Sequence, residues 1–276
     1  MSKGRIELAN NLRLFEETEF FNERFNFIHS YLHVNYKYEM HMHQFFEMNI
    51  IVSGKGMHYM ENSMIEAEVG DVFIIPPGVP HSYHSDESLD IYHVLIKKDF
   101  LTRYSEEIED IDGFDILFDI EPRIRRLSGK NCNLKLSHHD LPSFKEELER
   151  MIRAEKSGRY VYLNALTLAF ICRLCRRVSG SIGELGGGGE IIGVMEYIKN
   201  NLDQKLTLEE LCRIASMSRA TLNRRFNEAL GQSPMNYVLF SRVSRAKELI
   251  EESNLSKTEI AHLCGFYDVA HMNKYI

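Results

Sequence analysis

The sequence predicts a two-domain α+β protein: an N-terminal β-barrel with accessory helices, followed by an all-α domain built from two helix–turn–helix units. Three observations predict this division. Short apolar runs broken by glycine and proline occupy residues 36–100, which is typical of a small barrel. A pattern of helix-start residues occurs twice within residues 206–276. A run of four glycines, Gly186–Gly189, lies between the two regions and indicates a flexible linker.

These patterns set the predicted boundaries. We expect residues 1–180 to form the N-terminal domain, with the barrel at about residues 36–100 and two helices at about residues 140–178. Residues 181–189 are the predicted linker, and residues 190–276 the predicted helical domain. A chain of 276 residues is long enough for two domains of ordinary size.

Composition and charge narrow the class of protein. The net charge is -7, but residues 190–276 contain 11 Lys or Arg and 11 Asp or Glu, so the N-terminal region carries the whole excess. A neutral domain can still bind DNA if its cations lie on one face. The five cysteines lack disulfide-like spacing, and Cys172 and Cys175 fall in a helical pattern as expected core residues. With no signal-peptide core and no apolar run of spanning length, we expect a cytoplasmic protein without membrane segments.

The barrel region is predicted from strand-like runs. Residues 1–35 give weak signals. Ile50–Val52 followed by Ser53–Gly56 predicts a strand and a hairpin turn. Further strands are predicted at Met57–Met60, Asp71–Ile75 and Ile91–Ile96.

Four residues of this region carry possible chemistry. His41, His43 and Glu47 follow the pattern His-x-His-x3-Glu, and alternation along one strand would place them on the same face. His81 ends the pattern Gly70-x5-Pro76-x-Gly78-x2-His81. Three imidazoles and a carboxylate suit Zn, Fe, Ni or Mn. The alternative is a polar pocket that contacts an organic effector. The remaining histidines match no metal spacing and are expected to be ordinary: His58, His84, His93, His138 and His139.

The two stretches resemble the two cupin motifs, with Ser85 where an asparagine often ends the second one. The resemblance implies a β-barrel. After it, Leu141–Ile152 and Tyr160–Val178 have apolar residues at helical spacing. We expect these two helices to form an antiparallel pair. The pair either covers the barrel of its own chain or joins two subunits.

The C-terminal region repeats a helix-start signal. Thr207 lies three residues before Glu210, and Ser256 lies three residues before Glu259, 49 residues later. Each pair predicts a capping box. Ser218 and then Asp268, 50 residues apart, are the expected caps of the next helices, so the second turn is one residue longer. Each pair of short helices predicts a helix–turn–helix unit.

The second helix of each unit exposes residues that can reach base edges and phosphates. In the first unit the candidates are Arg219, Ala220, Thr221, Asn223 and Arg224, with Arg225 beside them. In the second unit they are Val269, His271, Asn273 and Lys274. Between the units, Ser233 and Pro234 start a long predicted helix that would hold the two units at a fixed separation.

Two motifs complete this region: Arg242-x3-Ala246-x2-Leu249-Ile250, and Ile260-Ala261-x2-Cys264-Gly265-Phe266-x-Asp268-x-Ala270-His271-Met272. The layout resembles the DNA-binding domain of the AraC family of bacterial transcription regulators. The resemblance covers roughly residues 190–276. It implies double-stranded promoter DNA as a partner, a homodimer paired through helices, RNA polymerase as a partner if the protein is an activator, and a small-molecule effector, most often a sugar. The family normally extends its second recognition helix beyond the position of Ile276, so we expect a missing tail.

These observations predict an effector-controlled transcription regulator rather than an enzyme. Its recognition helices would enter major grooves about 34 Å apart. The rival hypothesis is a metal-dependent cupin enzyme of dioxygenase or isomerase type, in which the same His and Glu residues hold a catalytic metal and the helical domain is accessory. A helical scaffold for protein partners is a third possibility, but it leaves Arg219, Asn223 and Arg224 unexplained.

Overall fold

A computed structural model of the chain describes residues 12–21, 28–60, 63–108, 111, 113–128, 135–184 and 188–276. The chain divides into two compact units, Met1–Val178 and Ser179–Ile276. Among the described residues, none of the helices combines the length and apolar character needed to cross a bilayer.

The described part of the first unit contains one curled, eight-stranded sheet that forms a half-barrel. Its strands are β1 (Arg13–Phe15), β2 (Ile28–His33), β3 (Tyr38–His43), β4 (Phe46–Met60), β5 (Ser63–Glu68), β6 (Val72–Ile75), β7 (His81–His84) and β8 (Leu89–Ile96). The strand order is β1-β3-β7-β4-β8-β2, and β5 and β6 also pair with β4. The pair β1–β3 is parallel, and the other pairs of these strands are antiparallel.

Strand β4 is the centre of the sheet, and it corrects one prediction. The hairpin expected at residues 53–56 is absent, because β4 continues unbroken for 15 residues. The register shifts between Ile51 and Ser53, and Gly54 has φ 77°. A Cβ at Gly54 would lie 1.8 Å from the Ser88 carbonyl oxygen. The glycine therefore marks a bulge that bends the strand, after which β4 pairs with β5 and β7 instead of β6 and β8.

The sheet also extends beyond the predicted residues 36–100. Strands β1 and β2 lie before residue 36, and β2 pairs with β8 from Ile28 to His33. The sequence signal was weak because β2 lacks the hydropathy alternation of a strand with an apolar buried face. Its polar residue Ser30 is buried, like the apolar Ile28.

The helices of the first unit are α1 (Glu17–Phe20), α2 (Lys98–Arg103), α3 (Ser105–Ile108), a π-helix (Ile116–Ile120) that continues as α4 (Glu121–Ser128), α5 (Leu141–Lys156) and α6 (Tyr160–Glu184). Glu155 of α5 accepts a hydrogen bond from Ser30 N at 2.8 Å, so α5 packs on β2. The Phe144 and Phe170 rings join α5 to α6, with centroids 5.3 Å apart. Burial raises the pKa of Cys175 on α6 to about 12, which agrees with its predicted place in the core.

Helical backbone occupies part of the predicted linker. Helix α6 continues to Glu184, and the next helix begins at Gly188, while residues 185–187 lie outside the described part. A glycine lowers helix propensity by about 1 kcal/mol relative to alanine, which disfavours a helix without preventing it. The run of glycines therefore did not justify predicting an irregular segment over the whole of residues 181–189.

The described part of the second unit is built from helices, as predicted. It contains α7 (Gly188–Asn200), α8 (Leu208–Ile214), α9 (Arg219–Leu230), α10 (Pro234–Glu252), α11 (Lys257–Leu263) and α12 (Val269–Asn273). Helices α8 and α9 form the first helix–turn–helix unit, and α11 and α12 the second. Helix α10 joins them and starts as expected, with Ser233 as its cap and Pro234 in its first turn. The core of the second unit includes Ala246, Ile260 and Met272.

Candidate functional site

The four predicted ligand residues lie together inside the half-barrel. Glu47 is 3% exposed, and its Oε2 lies 3.1 Å from His43 Nε2 and 3.0 Å from His81 Nε2. His41 also belongs to this group, because one ligand atom each from His41, Glu47 and His81 lie within 4.8 Å of one another. The sequence motifs therefore located a real convergence of side chains.

The reason for the convergence differs from the prediction. His41 and His43 lie on β3, whereas Glu47 lies on β4, beyond a tight turn at Gln44. The three residues do not share one strand face. They meet because β3, β4 and β7 belong to a curled sheet whose interior receives side chains from each strand.

A fifth residue, His93, also binds the carboxylate. Its Nδ1 lies 2.6 Å from Glu47 Oε1, and its ring is fully buried and stacked on Tyr31 with centroids 4.8 Å apart. We had expected His93 to be ordinary, so this expectation was wrong. The sequence feature that could have indicated its role is a histidine within the apolar strand β8. His93 lies opposite Asn49 on β4. We call His41, His43, Glu47, His81 and His93 the Glu47 cluster.

The three motif histidines share one hydrogen-bond arrangement. His41 Nδ1 lies 2.8 Å from the Glu39 carbonyl oxygen, and His43 Nδ1 lies 2.6 Å from that of Phe45. His81 Nδ1 lies 3.1 Å from the Val79 carbonyl oxygen. A carbonyl only accepts hydrogen bonds, so Nδ1 carries the proton in each ring. The lone pair of a neutral ring is then on Nε2.

This arrangement places the hydrogen-bond acceptor atoms of two histidine rings against an acceptor oxygen of Glu47. The Nε2 atoms of His43 and His81 both face Glu47 Oε2, and contact is favourable only if the rings carry a second proton or a cation lies among them. Burial lowers the pKa of His81, and it lowers the pKa of His41 to about 3. Neutral rings are therefore preferred at His41 and His81, and their Nε2 lone pairs favour a cation beside Glu47.

The carboxylate itself is ionised. Burial is the largest single influence and opposes ionisation, but the contacts of the carboxylate with His43, His81 and His93 together hold the pKa of Glu47 well below its usual value. Neutral imidazole nitrogens around a carboxylate oxygen form a donor set that divalent transition metals bind. Backbone carbonyls on the outer ring nitrogens are the usual support of such ligands. The residues present therefore fit a metal.

A second polar group lies deeper in the half-barrel. His58 is fully buried, and its ring stacks on Tyr83 with centroids 4.4 Å apart. Arg125 of α4 is 1% exposed, lies 3.4 Å from His58 Nδ1 through its Nη1, and pairs with Glu121 at 2.8 Å. Burial first, and the Arg125 charge second, keep the pKa of His58 well below its usual value. His58 was also expected to be ordinary, and no motif spacing marks either residue.

The other three histidines that were expected to be ordinary behave as expected. His84, His138 and His139 are exposed, and His84 pairs with Asp86 at 3.2 Å on the surface. None of these three reaches the Glu47 cluster among the described contacts. His84 lies on the same strand as His81, so one strand presents a buried ligand candidate and an exposed histidine.

The two helix–turn–helix units share their helix caps, with one difference. Ser256 and Glu259 form the complete predicted capping box of α11. Thr207 accepts a hydrogen bond from Glu210 N at 3.3 Å, but the Glu210 carboxylate instead accepts one from the Tyr197 hydroxyl at 2.8 Å. The capping box predicted for the first unit is therefore only half formed. The recognition helices α9 and α12 start at their predicted caps. In each helix the cap side chain accepts a hydrogen bond from the backbone N–H of the third helical residue.

The turns of the two units also have the same backbone. Ser216 has φ 51° and Gly265 has φ 69°. The following residue in each turn donates its backbone N–H to a carbonyl at 2.9 Å: Met217 to Cys212 in the first unit, and Phe266 to Ala261 in the second. The repeat seen in the sequence is thus a repeat in the structure.

Most of the predicted DNA-contact residues are exposed on α9 and α12. In α9, Arg219, Ala220 and Arg224 are exposed and Thr221 and Asn223 half-buried; in α12, Asn273 and Lys274 are exposed and His271 half-buried. Val269 is half-buried and packs partly against the core, and its assignment as a contact residue stays a prediction. Arg219 pairs with Glu209, and Arg224 pairs with Glu228 at 2.9 Å. The Asn223 amide donates to the Arg219 carbonyl oxygen at 2.9 Å.

Comparisons with known proteins agree with the two kinds of domain. Residues 27–167 match the family profile described as the AraC-like ligand binding domain, and residues 211–276 match a helix-turn-helix domain. The chain is 23% identical to the HTH-type transcriptional activator RhaS of Enterobacter sp. (strain 638) over 235 residues, which cover 84% of this chain and 81% of that protein.

Two further relatives show the same relationship. The HTH-type transcriptional activator RhaR of Mannheimia succiniciproducens is 20% identical over 239 residues, with 86% of this chain and 82% of that protein covered. The HTH-type transcriptional regulator GbdR of Pseudomonas aeruginosa is 36% identical over 85 residues, with 31% of this chain and 22% of that protein covered. The ligand-binding profile alone spans just over half of the 276 residues. The chain belongs to the AraC family, as a DNA-binding transcription regulator with an N-terminal ligand-binding domain.

Proposed function

We propose that this regulator is controlled at the Glu47 cluster, where His41, His43, Glu47 and His81 bind a divalent transition metal and a small-molecule effector binds beside it. One observation carries the proposal. The motif histidines donate Nδ1–H to backbone carbonyls, so the Nε2 lone pairs of His43 and His81 face an ionised carboxylate. A metal cation satisfies the lone pairs and the carboxylate together.

The donor set supports Zn, Fe, Ni or Mn, because these metals accept imidazole nitrogen and carboxylate oxygen together. Aromatic rings enclose the ligands. The Phe45 ring stacks on His43 at 4.7 Å, and the Phe15 ring lies edge-on to His41 at 5.2 Å. An enclosure of this kind excludes water and holds the rings in one orientation. A bound metal would supply a Lewis-acid position for an oxygen atom of the effector.

The nearby unpartnered atoms support a hydroxylated effector. Asn49 donates its amide to the Tyr83 hydroxyl at 3.1 Å, and its Oδ1 has no hydrogen-bond partner among the described residues. His93 gives Nδ1 to Glu47, and its buried Nε2 is likewise unpartnered in the described part. Both atoms are acceptors and need donors. Hydroxyl groups supply donors, which agrees with the sugar class expected from the family resemblance.

The proposal includes the expected partners. Helices α9 and α12 read promoter DNA, and two chains form a homodimer through α5 and α6. Exposed apolar groups at the start of α6 support this pairing, since Val161 is 87% exposed and Tyr162 is 48% exposed. RNA polymerase is the further partner if this chain activates transcription, as the names of the RhaS and RhaR relatives say of those proteins. Promoter DNA as the target places the protein in the cytoplasm.

Regulation, rather than catalysis, is the proposed role of the cluster. The reported relatives are transcriptional regulators, which supports a binding role for the barrel. The rival, a dioxygenase or isomerase, predicts turnover of sugars or phenols by metal-loaded protein. We expect no oxygen consumption and no product under those conditions.

Metal analysis of untagged protein by plasma emission tests the proposal. We expect about one equivalent of a transition metal in the wild-type chain and less than about a tenth in His81→Ala. His84→Ala is the matched control, because His84 lies on the same strand but is exposed. It should retain the wild-type metal content.

Less than about a tenth of an equivalent in the wild-type chain would contradict the metal assignment. The organic pocket would then remain. In that case His81→Ala should leave the melting temperature of the first unit nearly unchanged without effector, and it should abolish stabilisation by the effector.

A further inference from the structure

We infer that Tyr267 contacts the sugar–phosphate backbone of promoter DNA, in a role that has no counterpart in the first helix–turn–helix unit. The inference rests on DNA binding by α12. Tyr267 is the residue by which the second turn exceeds the first, since the offset between the units is 49 residues at Gly265 and 50 at Asp268. In the first unit, Met217 is followed directly by the cap residue Ser218.

Its neighbours fix the direction of the Tyr267 side chain. Phe266 is 3% exposed and donates its backbone N–H to Ala261 at 2.9 Å, so it is anchored in the core. Asp268 caps α12 by accepting a hydrogen bond from His271 N at 2.7 Å. The extra residue lies between these two anchors and cannot turn inward without breaking one of them. Tyr267 is accordingly 87% exposed.

The folded chain makes little use of this side chain. Among the described residues, no aromatic ring pairs with Tyr267 and no group hydrogen-bonds its hydroxyl, and most of its surface is open to solvent. The backbone N–H of Tyr267 lies 3.4 Å from His271 Nδ1, so the residue is held beside the first turn of α12. In helix–turn–helix complexes the N-terminal end of the recognition helix is the end nearest the DNA, and tyrosine hydroxyls are among the common donors to phosphate.

The charge of the unit explains why a neutral donor is useful here. Residues 190–276 carry equal numbers of acidic and basic side chains, 11 of each. In α9, Arg219 and Arg224 are each paired with a glutamate. Uncharged donors can add phosphate contacts to those that the cations of the unit provide. An exposed phenol hydroxyl at the entrance of α12 provides one without adding a cation.

The test uses the full chain and a duplex selected from a random pool by that chain. Dissociation constants are measured for the selected duplex and for one altered in a single base pair, at several KCl concentrations. We expect Tyr267→Phe to weaken both complexes about fivefold, the effect of one lost hydrogen bond. Tyr267→Ala should weaken them further. The dependence on KCl should be unchanged in both variants, because tyrosine is uncharged.

Two controls separate this role from a general disturbance of α12. Tyr275→Phe removes the hydroxyl of a tyrosine that packs on His271, with ring centroids 5.5 Å apart, and it should leave affinity unchanged. Lys274→Gln should reduce the salt dependence by about one phosphate contact. Wild-type melting curves for both Tyr267 variants would confirm that folding is intact.

Three results would overturn the inference. The first is wild-type affinity in both Tyr267→Phe and Tyr267→Ala. The second is a loss confined to one base pair of the selected duplex, which would mean a base contact. The third is failure of the wild-type chain to enrich any duplex. That result would contradict DNA binding itself, and the first two would leave DNA binding intact.

Discussion

The polar residues of the half-barrel and those of the helix–turn–helix units are held in place by different means. Glu47 is 3% exposed and is bound by three imidazoles, two of which are themselves fixed by backbone carbonyls. Arg224 pairs with Glu228, and the two side chains are 61% and 41% exposed. The first arrangement is rigid and costly to disturb. The second is weak and screened by solvent, so Arg224 can exchange its partner for DNA.

The largest expected effect tests the rigid side of this comparison. Glu47→Ala removes the common partner of His43, His81 and His93 inside a buried cluster. Loss of one member of a buried pair typically costs about 3–5 kcal/mol. Hydrogen-exchange mass spectrometry should show lost protection along β4 and β8.

Glu228→Ala is the control for this prediction. It removes an exposed carboxylate on α9, and surface changes usually stay within about 0.5 kcal/mol. Exchange in both units should remain as in the wild-type chain. Equal exchange in Glu47→Ala and wild-type protein would show that the cluster does not stabilise the half-barrel.

Acid should unfold the first unit before the second. Burial lowers the pKa of His41 to about 3 and also lowers the pKa values of His58 and His81. Below pH 6.5 the unfolded chain binds these protons while the folded chain does not, so stability falls as pH falls. Each group removes about 1.4 kcal/mol per pH unit until its folded pKa is reached. The window for His41 runs from 6.5 to about 3.

Glu47 acts in the same direction at lower pH. Its folded pKa is held well below 4.5, so its stabilisation is complete above 4.5 and is lost as pH falls through the folded value. The two histidines of the second unit are not buried, since His262 is exposed and His271 half-buried. Proteolysis at stepwise lower pH should therefore cut the first unit while the second resists. Simultaneous cleavage of both units would contradict this order.

These differences explain how far the sequence could predict the structure. The helix–turn–helix units were predicted well because caps, turns and helix starts are local signals, and Ser218, Ser233, Ser256 and Asp268 all act as predicted. The strand pairing was predicted less well. The glycine at Gly54 was interpreted as part of a hairpin turn, but it lies at a β-bulge. A glycine in the sequence indicates irregular backbone and does not show whether the chain reverses direction there.

The buried cluster was predicted in part for a related reason. The motif spacing identified His41, His43, Glu47 and His81, although it assigned three of them to one strand. His93 was missed because it is 46 residues from Glu47 along the chain, and only the pairing of β4 with β8 brings it there. Arg125 reaches the interior from a helix, and no local pattern indicates that.

Removal of Arg224, which forms the exposed ion pair on α9, should have a smaller effect. Arg224→Ala should weaken binding to a selected duplex by about 1–3 kcal/mol and relax the preference at one position if Arg224 reads a base. If Arg224 contacts phosphate instead, the substitution would weaken binding to DNA of every sequence and reduce the dependence of affinity on salt concentration. Unchanged binding would contradict the assignment of α9 as a recognition helix.

The acidic partner of Arg224 should act in the opposite direction. Glu228→Gln frees the Arg224 guanidinium from its 2.9 Å ion pair. The affinity for DNA should therefore rise by up to about threefold, which corresponds to the energy of an exposed ion pair. Glu146→Gln is the matched control, because Glu146 pairs with Arg150 at the same spacing on α5, in the other unit. Measured dissociation constants at low salt decide the result, and weaker binding by Glu228→Gln would show that Glu228 supports the fold of α9.

The smallest expected effect concerns the turns. Ser216 adopts φ 51°, where a residue with a side chain is strained by about 1 kcal/mol, and Gly265 adopts the same backbone without strain. Ser216 is exposed, so Ser216→Gly loses no core contact. Greater freedom of glycine in the unfolded chain offsets part of the gain, leaving about 0.5 kcal/mol of added stability in urea unfolding of the second unit. Ser216→Ala keeps the Cβ and should gain nothing, and an equal gain from both variants would show that the hydroxyl, rather than the backbone, causes the strain.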